Sequence, residues 1–533
     1  MSSMAVPGLG WSRLPATFQL GCETLKVPMA MHKTARLKLL DEMRGRGVTS
    51  GIILLEGGEQ QNVYDTDCEV VFKPTSWFNY LFGTKESGLY GSIDIASGHT
   101  TLFIPELPEE YLVWCGEIFP PKHFKEMYDV DEVLYDHQLA DNLEKALRSS
   151  PGKLHMLYGL NTDSGSYVEP IKLKSLEAFA TNTDTSVLHT ALSKSRTIKS
   201  DLEMNVMWYC AYVASNAHVA VMRSTQAGMM EFELEATFQY NIYKFGGCRR
   251  CAYTSICACG PNNAVLHYGH AGAPNDRQLL PTDMALLDMG AEYHGYVSDI
   301  TCSFPVSGKF TADQRFIYQA VLNAQKAVYA IMTAGTSWVD CHRTAELEIL
   351  KGLQEAGVLK KDMDPHAMLE DHLGATFMPH GLGHLIGCDT HDVGGYLDGE
   401  TPPRPPKAPT VMGGVSKLRT ARVLEAGMVL TNEPGCYFID ALIDEALKNP
   451  NKNKYINAER LEQYRHTGGV RLEGKKCTMS PTNLSIRYFV ISFTSNKSNT
   501  QIVLIYFQML SLLPMDLRSI TLPVQELSKR LRM

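Results

Sequence analysis

Met284-Ala285-Leu286-Leu287-Asp288-Met289-Gly290-Ala291-Glu292-Tyr293-His294-Gly295-Tyr296-Val297-Ser298-Asp299-Ile300-Thr301-Cys302-Ser303-Phe304 is the stretch that decides how this 533-residue chain folds. Residues 284–287 form an apolar run that ends on Asp288, as a buried strand does. Gly290 and Gly295 bracket a turn region, and a second strand-like run carries Asp299 and continues through Phe304. Folded back as an antiparallel hairpin, the two runs put both carboxylates on neighbouring strands, close enough to share a metal pair. A single Asp in such a place reads as a turn residue or a helix cap. Two Asp within apolar strands are costly unless charge is neutralised nearby.

Working outward, three more donors stand in short, recognisable contexts. His384 closes Met378-Pro379-His380-Gly381-Leu382-Gly383-His384, Glu433 stands in Thr431-Asn432-Glu433-Pro434-Gly435, and Glu473 follows Gly468-Gly469-Val470-Arg471-Leu472. Two His four apart could share a helix face, as in HExxH zinc sites. Two glycines and a proline in the segment argue instead for a loop or strand end, with only one of the two His as ligand. A lone His is usually a hydrogen-bonded core residue. Here His391 follows in His391-Asp392-Val393-Gly394-Gly395, and three His so close together amid glycines look more like a site. Asp288, Asp299, His384, Glu433 and Glu473 make a hard, oxygen-rich donor set. That suits Mn²⁺ or a similar divalent ion, and two such ions better than one. Metals about 3.5–4 Å apart can hold a hydroxide between them and attack an amide, so the chain reads as a metal-dependent hydrolase.

Longer stretches are more specific than these single positions: NAVLHYGHAGAPNDR at 263–277, SDITCSFPVSGKFTADQ at 298–314, FMPHGLGHLIG at 377–387 and HDVGGY at 391–396. On them, from about Leu20 to Glu473, the chain resembles the pita-bread metallopeptidases (the aminopeptidase P, methionine aminopeptidase and creatinase superfamily), and within them the Xaa-Pro dipeptidase branch. The resemblance implies an α+β protein: a creatinase-like α/β domain over 19–190 after a flexible stretch at 1–18, then a pita-bread catalytic domain over 191–473. It implies two Mn²⁺ per subunit, one held by Asp288, the other by His384 and Glu433, with Asp299 and Glu473 bridging. Glu433 would relay the proton from water to the leaving nitrogen, and His267 would steady the oxyanion. His391 would contact the substrate. Arg419 would clamp a dipeptide's terminal carboxylate, a bidentate task suited to guanidinium. Read without the resemblance, Arg419 is a solvated surface charge. The implied activity is hydrolysis of Xaa-Pro and Xaa-hydroxyproline dipeptides, in proline recycling and collagen-peptide breakdown, by a homodimer. An aminopeptidase P acting on longer peptides is the alternative, as are an impaired splice form and a pita-bread binding protein. Loss of ligands would mark that last class, and all five are present.

Composition frames this reading. A net charge of −8 and a pI near 6.1 argue against nucleic-acid or anionic-membrane surfaces. Residues 502–513 are apolar but far too short to span a bilayer. No basic stretch leading into an apolar one opens the chain, so no signal peptide is expected. The 13 cysteines, odd in number and scattered, fit reduced thiols and a cytoplasmic protein. Cys248, Cys251, Cys257 and Cys259 raise a zinc site, although the C-x₂-C pair lacks a second of matching spacing.

Element signals follow the same plan. Gly51–Leu55 reads as a strand, and 161–166 as a turn-rich break. Ser200 with Glu203, and Thr311 with Gln314, form capping boxes. Phe316, Ala320, Ala324, Ala327 and Ile331 mark a buried helix face that Gly335 ends. Residues 401–409 hold five prolines, an exposed polyproline-type loop between His391 and Arg419. After Glu473 the resemblance breaks: Gly474, Lys475 and Lys476 stand where it implies acidic and β-branched residues. The tail from 474 to 533 reads as alternative or read-through sequence. The two lysines are expected to compete for Glu473 and to repel cations at the site.

Overall fold

The computed structural model describes residues 16–269, 275–407 and 413–478, and the backbone of two further strands, Tyr488–Asn496 and Asn499–Tyr506. The first unit is built on a six-stranded mixed sheet. Its order is Thr183–Asp184, Lys153–Met156, Gly51–Glu56, Tyr90–Asp94, Thr100–Ile104 and Glu132–Tyr135. The run Ile52-Ile53-Leu54-Leu55 is apolar throughout because both faces of its strand are covered. Ile53 and Leu55 join a core with Leu39 and Met43 of the helix Ala30–Gly45, while Ile52 and Leu54 pack with Leu143 of the helix Leu139–Ser149.

Residues 161–166 form the expected turn, not a boundary between units. They turn the hairpin between Gly159–Leu160 and Tyr167–Val168, with Asn161 Oδ1 accepting from the Asp163 and Ser164 N–H groups. Nor is all of 1–18 free. Thr17–Phe18 pairs with Val27–Pro28, and Phe18 stacks on His294 at 4.2 Å; residues 1–15 lie outside the described residues.

The second unit wraps the helices Asp201–Ser224, Glu231–Gly246, Ala312–Ile331 and Trp338–Glu355 around short strands. Both capping boxes form, at Ser200/Glu203 and Thr311/Gln314. On Ala312–Ile331 the expected Ala320 and Ala324 are buried, but the face is centred one residue from the expected line. Ile317, Val321, Ala324 and Val328 point inward, whereas Phe316 is 41% exposed. Gly335 does not cap this helix. Met332 does, and Gly335 donates its N–H to Leu424 O farther on.

Met284–Asp288 is the centre of a three-stranded antiparallel sheet, flanked by Ile256–Cys259 and Thr301–Pro305, with Asp288 opposite Thr301. The expected single hairpin is elaborated. The residues between form their own small pair, Ala291–Tyr293 with Tyr296–Val297, around the positive-φ pair His294-Gly295. Gly435–Tyr437 pairs with Gly469–Arg471, and Val429–Asn432 with Gly474–Cys477. The chain after Glu473 therefore stays in a strand, and Tyr488–Asn496 and Asn499–Tyr506 extend its sheet. Of the proline-rich loop, 408 and 409 lie outside the described residues; before them Arg404 covers the Tyr396 ring at 4.5 Å. Among the described residues no helix is long and apolar enough to cross a membrane.

Candidate metal centre

The strand ends bring the five predicted donors together. Asp288 closes its strand, and Asp299 stands two residues before the next. His384 is locked to Val429–Asn432 by two bonds, its N–H donating to Thr431 Oγ1 and its carbonyl accepting from Thr431 N–H. Glu433 N–H donates to Leu382 O, and Glu473 N–H to Thr301 O. Ligand atoms of Asp299, His384 and Glu473 lie within 4.8 Å of one another. His384 Nε2 is 3.3 Å from Asp299 Oδ2 and 3.5 Å from Glu433 Oε1. Tyr253 joins Asp288 to the group, its hydroxyl 2.6 Å from Asp288 Oδ1 and 2.5 Å from Asp299 Oδ1.

The electrostatics call for a cation. Burial, offset in part by Arg471, raises the Asp288 carboxyl to about 6; burial, offset in part by His384, raises Glu433 to about 7. Burial and the neighbouring carboxylates push Glu473 well above the ordinary carboxylate range. Asp299 alone is held low despite its burial, by the His384 hydrogen bond and charge. His384 Nδ1 donates to the Leu385 carbonyl, which turns Nε2 towards Asp299 and Glu433; these carboxylates raise its imidazole against burial, and a bound cation would take the place of the Nε2 proton. Glu473 Oε1 is buried without a hydrogen-bond partner among the described residues. An imidazole nitrogen turned to carboxylates, a carboxylate oxygen without a partner among the described residues, and several crowded carboxylates fit a divalent-metal site.

A second layer of residues carries no local sequence signal except one. Arg471 stands two residues before Glu473, on the same strand face, and spans the site. Its NH2 donates to Asp288 Oδ2 at 2.5 Å, Nε to Thr301 Oγ1 and NH1 to Tyr437 Oη. Thr301 in turn donates to Glu473 Oε2 at 2.7 Å. His380 Nδ1 donates to Gly381 O, so its Nε2 accepts from Tyr437 Oη at 3.0 Å. His380 thus belongs to the second layer while His384 faces the carboxylates, in a loop rather than a helix.

The predicted substrate residues border the cluster. His391 packs edge-on against His384, ring centroids 4.6 Å apart. Burial, His384 and Arg419 together hold its imidazole near 2, hence neutral. The exposed His267 lies within electrostatic reach of both His380 and His391. Arg419 is not a free surface charge: its NH1 is paired with Asp163 Oδ1 of the first unit at 2.9 Å. Cys257 Sγ lies against Met289 Sδ and Cys259 Sγ against the Arg277 guanidinium, and among the described residues the four cysteines make no group of metal-binding geometry.

A buried carboxylate–imidazole cluster in an α+β unit is compatible with a divalent-metal site, and comparison with known proteins gives the class. Residues 205–475 match the model of metallopeptidase family M24, whose members bind divalent metals, and residues 32–155 match the aminopeptidase P N-terminal domain. The chain belongs to family M24 and is a metallopeptidase. It is 45% identical over 464 residues to the Xaa-Pro dipeptidase of Mus musculus, covering 87% of this chain and 91% of that one. To the Homo sapiens Xaa-Pro dipeptidase it is 46% identical over 459 residues, 86% of this chain and 90% of that one. The fold is similar to the solved aminopeptidase PepP of Pseudomonas aeruginosa, with TM-score 0.66 and 27% identity over 85% of this chain and 93% of that one.

Proposed function

We propose that the chain is an Xaa-Pro dipeptidase working with two Mn²⁺ ions, held by Asp288, Asp299, His384, Glu433 and Glu473. What carries the proposal is the convergence of these five donors beside His391 and Arg419, in a chain 45% identical to Xaa-Pro dipeptidases along most of its length. A metal pair bound there supplies Lewis acidity to the scissile carbonyl and a hydroxide nucleophile near neutral pH. The protein's part is positioning and proton handling. Tyr253 and Arg471 fix the Asp288 and Asp299 carboxylates, and Thr301 fixes Glu473. Glu433 moves the proton from the attacking water to the prolyl nitrogen. His267 donates to the developing oxyanion, and His391 and Arg419 seat the dipeptide. Proline suits such a site because the Xaa-Pro bond has no N–H to grip. The thirteen cysteines are all free thiols, which supports a reducing, cytoplasmic setting, and we assign the active form as a homodimer.

One observation favours a second reading, an aminopeptidase P taking longer peptides: Arg419 already has Asp163 as its carboxylate partner. Comparing Gly-Pro with Gly-Pro-Ala on the Mn²⁺-loaded chain separates the two. If Arg419 reads a terminal carboxylate, extension displaces a charged hydrogen bond worth about 1.5–3 kcal/mol, and Gly-Pro is favoured roughly ten- to a hundredfold. Equal rates would favour the aminopeptidase.

A further inference from the structure

The loop that carries His391 is fastened by a group of buried charges outside the metal-ligand cluster. The Asp392 side chain is 1% exposed; its Oδ1 accepts from Arg196 NH2 at 2.5 Å and its Oδ2 from Lys199 Nζ at 2.9 Å. The same Arg196 nitrogen donates to Asp389 Oδ2 at 2.7 Å. Asp389 Oδ1 accepts from Ser76 Oγ at 2.5 Å, and Ser76 opens the helix Ser76–Phe82 of the first unit. The Asp392 N–H closes the loop onto Leu385 O. A Cβ on Gly387 would lie 2.3 Å from Asp392 Oδ2, so the turn has to be glycine. The Arg196 guanidinium lies on the Trp77 ring at 4.6 Å, and among the described residues its Nε and NH1 have no hydrogen-bond partner. The two carboxylates and the indole therefore set its orientation.

His391 stands between the two anchored acids. Its ring meets His384 edge-on, so its place over the metal cluster follows the backbone that Asp389 and Asp392 hold. A shift of that backbone by an ångström would misplace a substrate-seating group, an error to which catalytic geometry is sensitive. The cluster takes no part in the metal chemistry, yet two cations and two carboxylates are assembled on this one loop, three of the four side chains almost fully buried. We propose that Arg196, acting through Asp389 and Asp392, is the positioning residue for His391. On this proposal the Ser76–Asp389 contact makes the first unit part of substrate seating. The proposal rests on the assignment of His391 to the substrate made above.

The test uses Asp389→Asn, which keeps the side-chain shape and leaves Asp392 paired, together with Ser76→Ala and Arg196→Lys. In the full Mn²⁺-loaded chain with Gly-Pro, Asp389→Asn raises KM roughly three- to tenfold with a smaller change in kcat, at unchanged metal content. Ser76→Ala does the same to a lesser degree, and Arg196→Lys, too short to serve both acids, to a greater one. In a His391→Ala background Asp389→Asn adds nothing, because its effect passes through that ring. An unchanged KM in both Asp389→Asn and Ser76→Ala overturns the proposal. So does a KM effect that persists in full without His391, or one that comes with loss of metal. Calorimetric binding of Gly-Pro to the same proteins reads the positioning even if the parent chain shows no turnover, a result that would count against the dipeptidase reading alone.

Discussion

Two limbs of the molecule deliver carboxylates to the proposed metal centre, and they are supported in different ways. Asp288 and Asp299 come from the sheet centred on Met284–Asp288, which is paired on both edges and packed with Ala285, Leu287, Cys302 and Phe304. Glu473 comes from the junction of two sheets. Before it, Ser303 Oγ and Thr301 O lace residues 471–473 to the first limb. After it come two buried lysines. Lys475 Nζ donates to the carbonyls of Met207 and Val297, at 2.8 and 3.3 Å, and Lys476 Nζ to that of Tyr329 at 2.7 Å. Neither pairs with Glu473, so the expected competition for that carboxylate does not occur. The lysines are instead solvated by main-chain dipoles inside the protein, with no carboxylate in ion-pair contact among the described residues. One limb is held by apolar packing, and the other carries a desolvation cost beside the site.

The strongest way to break this comparison is to remove ligands limb by limb. Asp299→Asn and His384→Ala are expected to abolish metal-dependent turnover, by on the order of a thousandfold or more, since the nucleophile depends on the metals. Glu473→Gln is expected to cost less if the second limb already holds metal weakly. Metal content by mass spectrometry alongside kcat decides this; equal losses at Asp299 and Glu473 would mean that the two limbs contribute alike.

Tyr253→Phe probes the first limb without touching a ligand. It removes the one hydroxyl shared by Asp288 and Asp299, and substitutions behind ligands typically cost roughly ten- to a hundredfold in affinity or activity. A Mn²⁺ titration of activity should show the loss chiefly as weaker metal binding. An unchanged titration would leave Tyr253 a packing residue.

A third test contrasts the lysines with buried groups that stay neutral. His32, on the helix Ala30–Gly45, and His294, on the small pair within the first limb, meet at 2.8 Å between Nε2 atoms. His32 Nδ1 donates to Tyr80 O, so its Nε2 accepts from His294 Nε2–H. Burial lowers the His32 imidazole to about 4 and His294 well below its usual value. A folded pKa below the unfolded one stabilises the native state above about pH 6.5. That contribution is lost as the pH falls from there towards 4, by roughly 3 kcal/mol for His32. Thermal midpoints measured from pH 7 to 4 should fall, and the fall should be shallower in His32→Asn. Parallel slopes in the two proteins would show that this pair does not govern the acid limb of stability.

Much of this was legible where the signal is local. The apolar run into Asp288, the two capping boxes and the glycine-flanked histidines each state their structure within a few residues. What was missed depends on partners distant in sequence. Tyr253 reaches Asp288 and Asp299 across 35 and 46 residues, and Arg419 meets Asp163 across 256. On the helix Ala312–Ile331 the signal holds at Ala320 and Ala324 and fails at Phe316, which is apolar but lies at the rim while Ile317 takes the inward place. The lysines were read by charge alone. Their long stems reach past Glu473 to carbonyls on other elements, which no spacing rule encodes.

The smallest expected effect bears most directly on the contrast between the limbs. Lys475→Met keeps the stem's length and removes the ammonium. Two consequences oppose each other. The carbonyls of Met207 and Val297 lose a donor, which destabilises. The desolvation that depresses the Lys475 ammonium to about 8 disappears, which stabilises. Helix and strand backbones already give each carbonyl an environment of other dipoles, so relief of the buried charge outweighs the lost donor. A net gain of about 1–2 kcal/mol, or a few degrees in Tm, is expected. Because Lys475 lies within electrostatic reach of Asp299, the same change should slow Mn²⁺ loss to a chelator. The two readouts need not move together. Tighter metal with unchanged Tm would locate the defect of the second limb in its charge, and a higher Tm with unchanged metal loss would locate it in desolvation. No change in either would show that main-chain dipoles hold these lysines at no cost to the site.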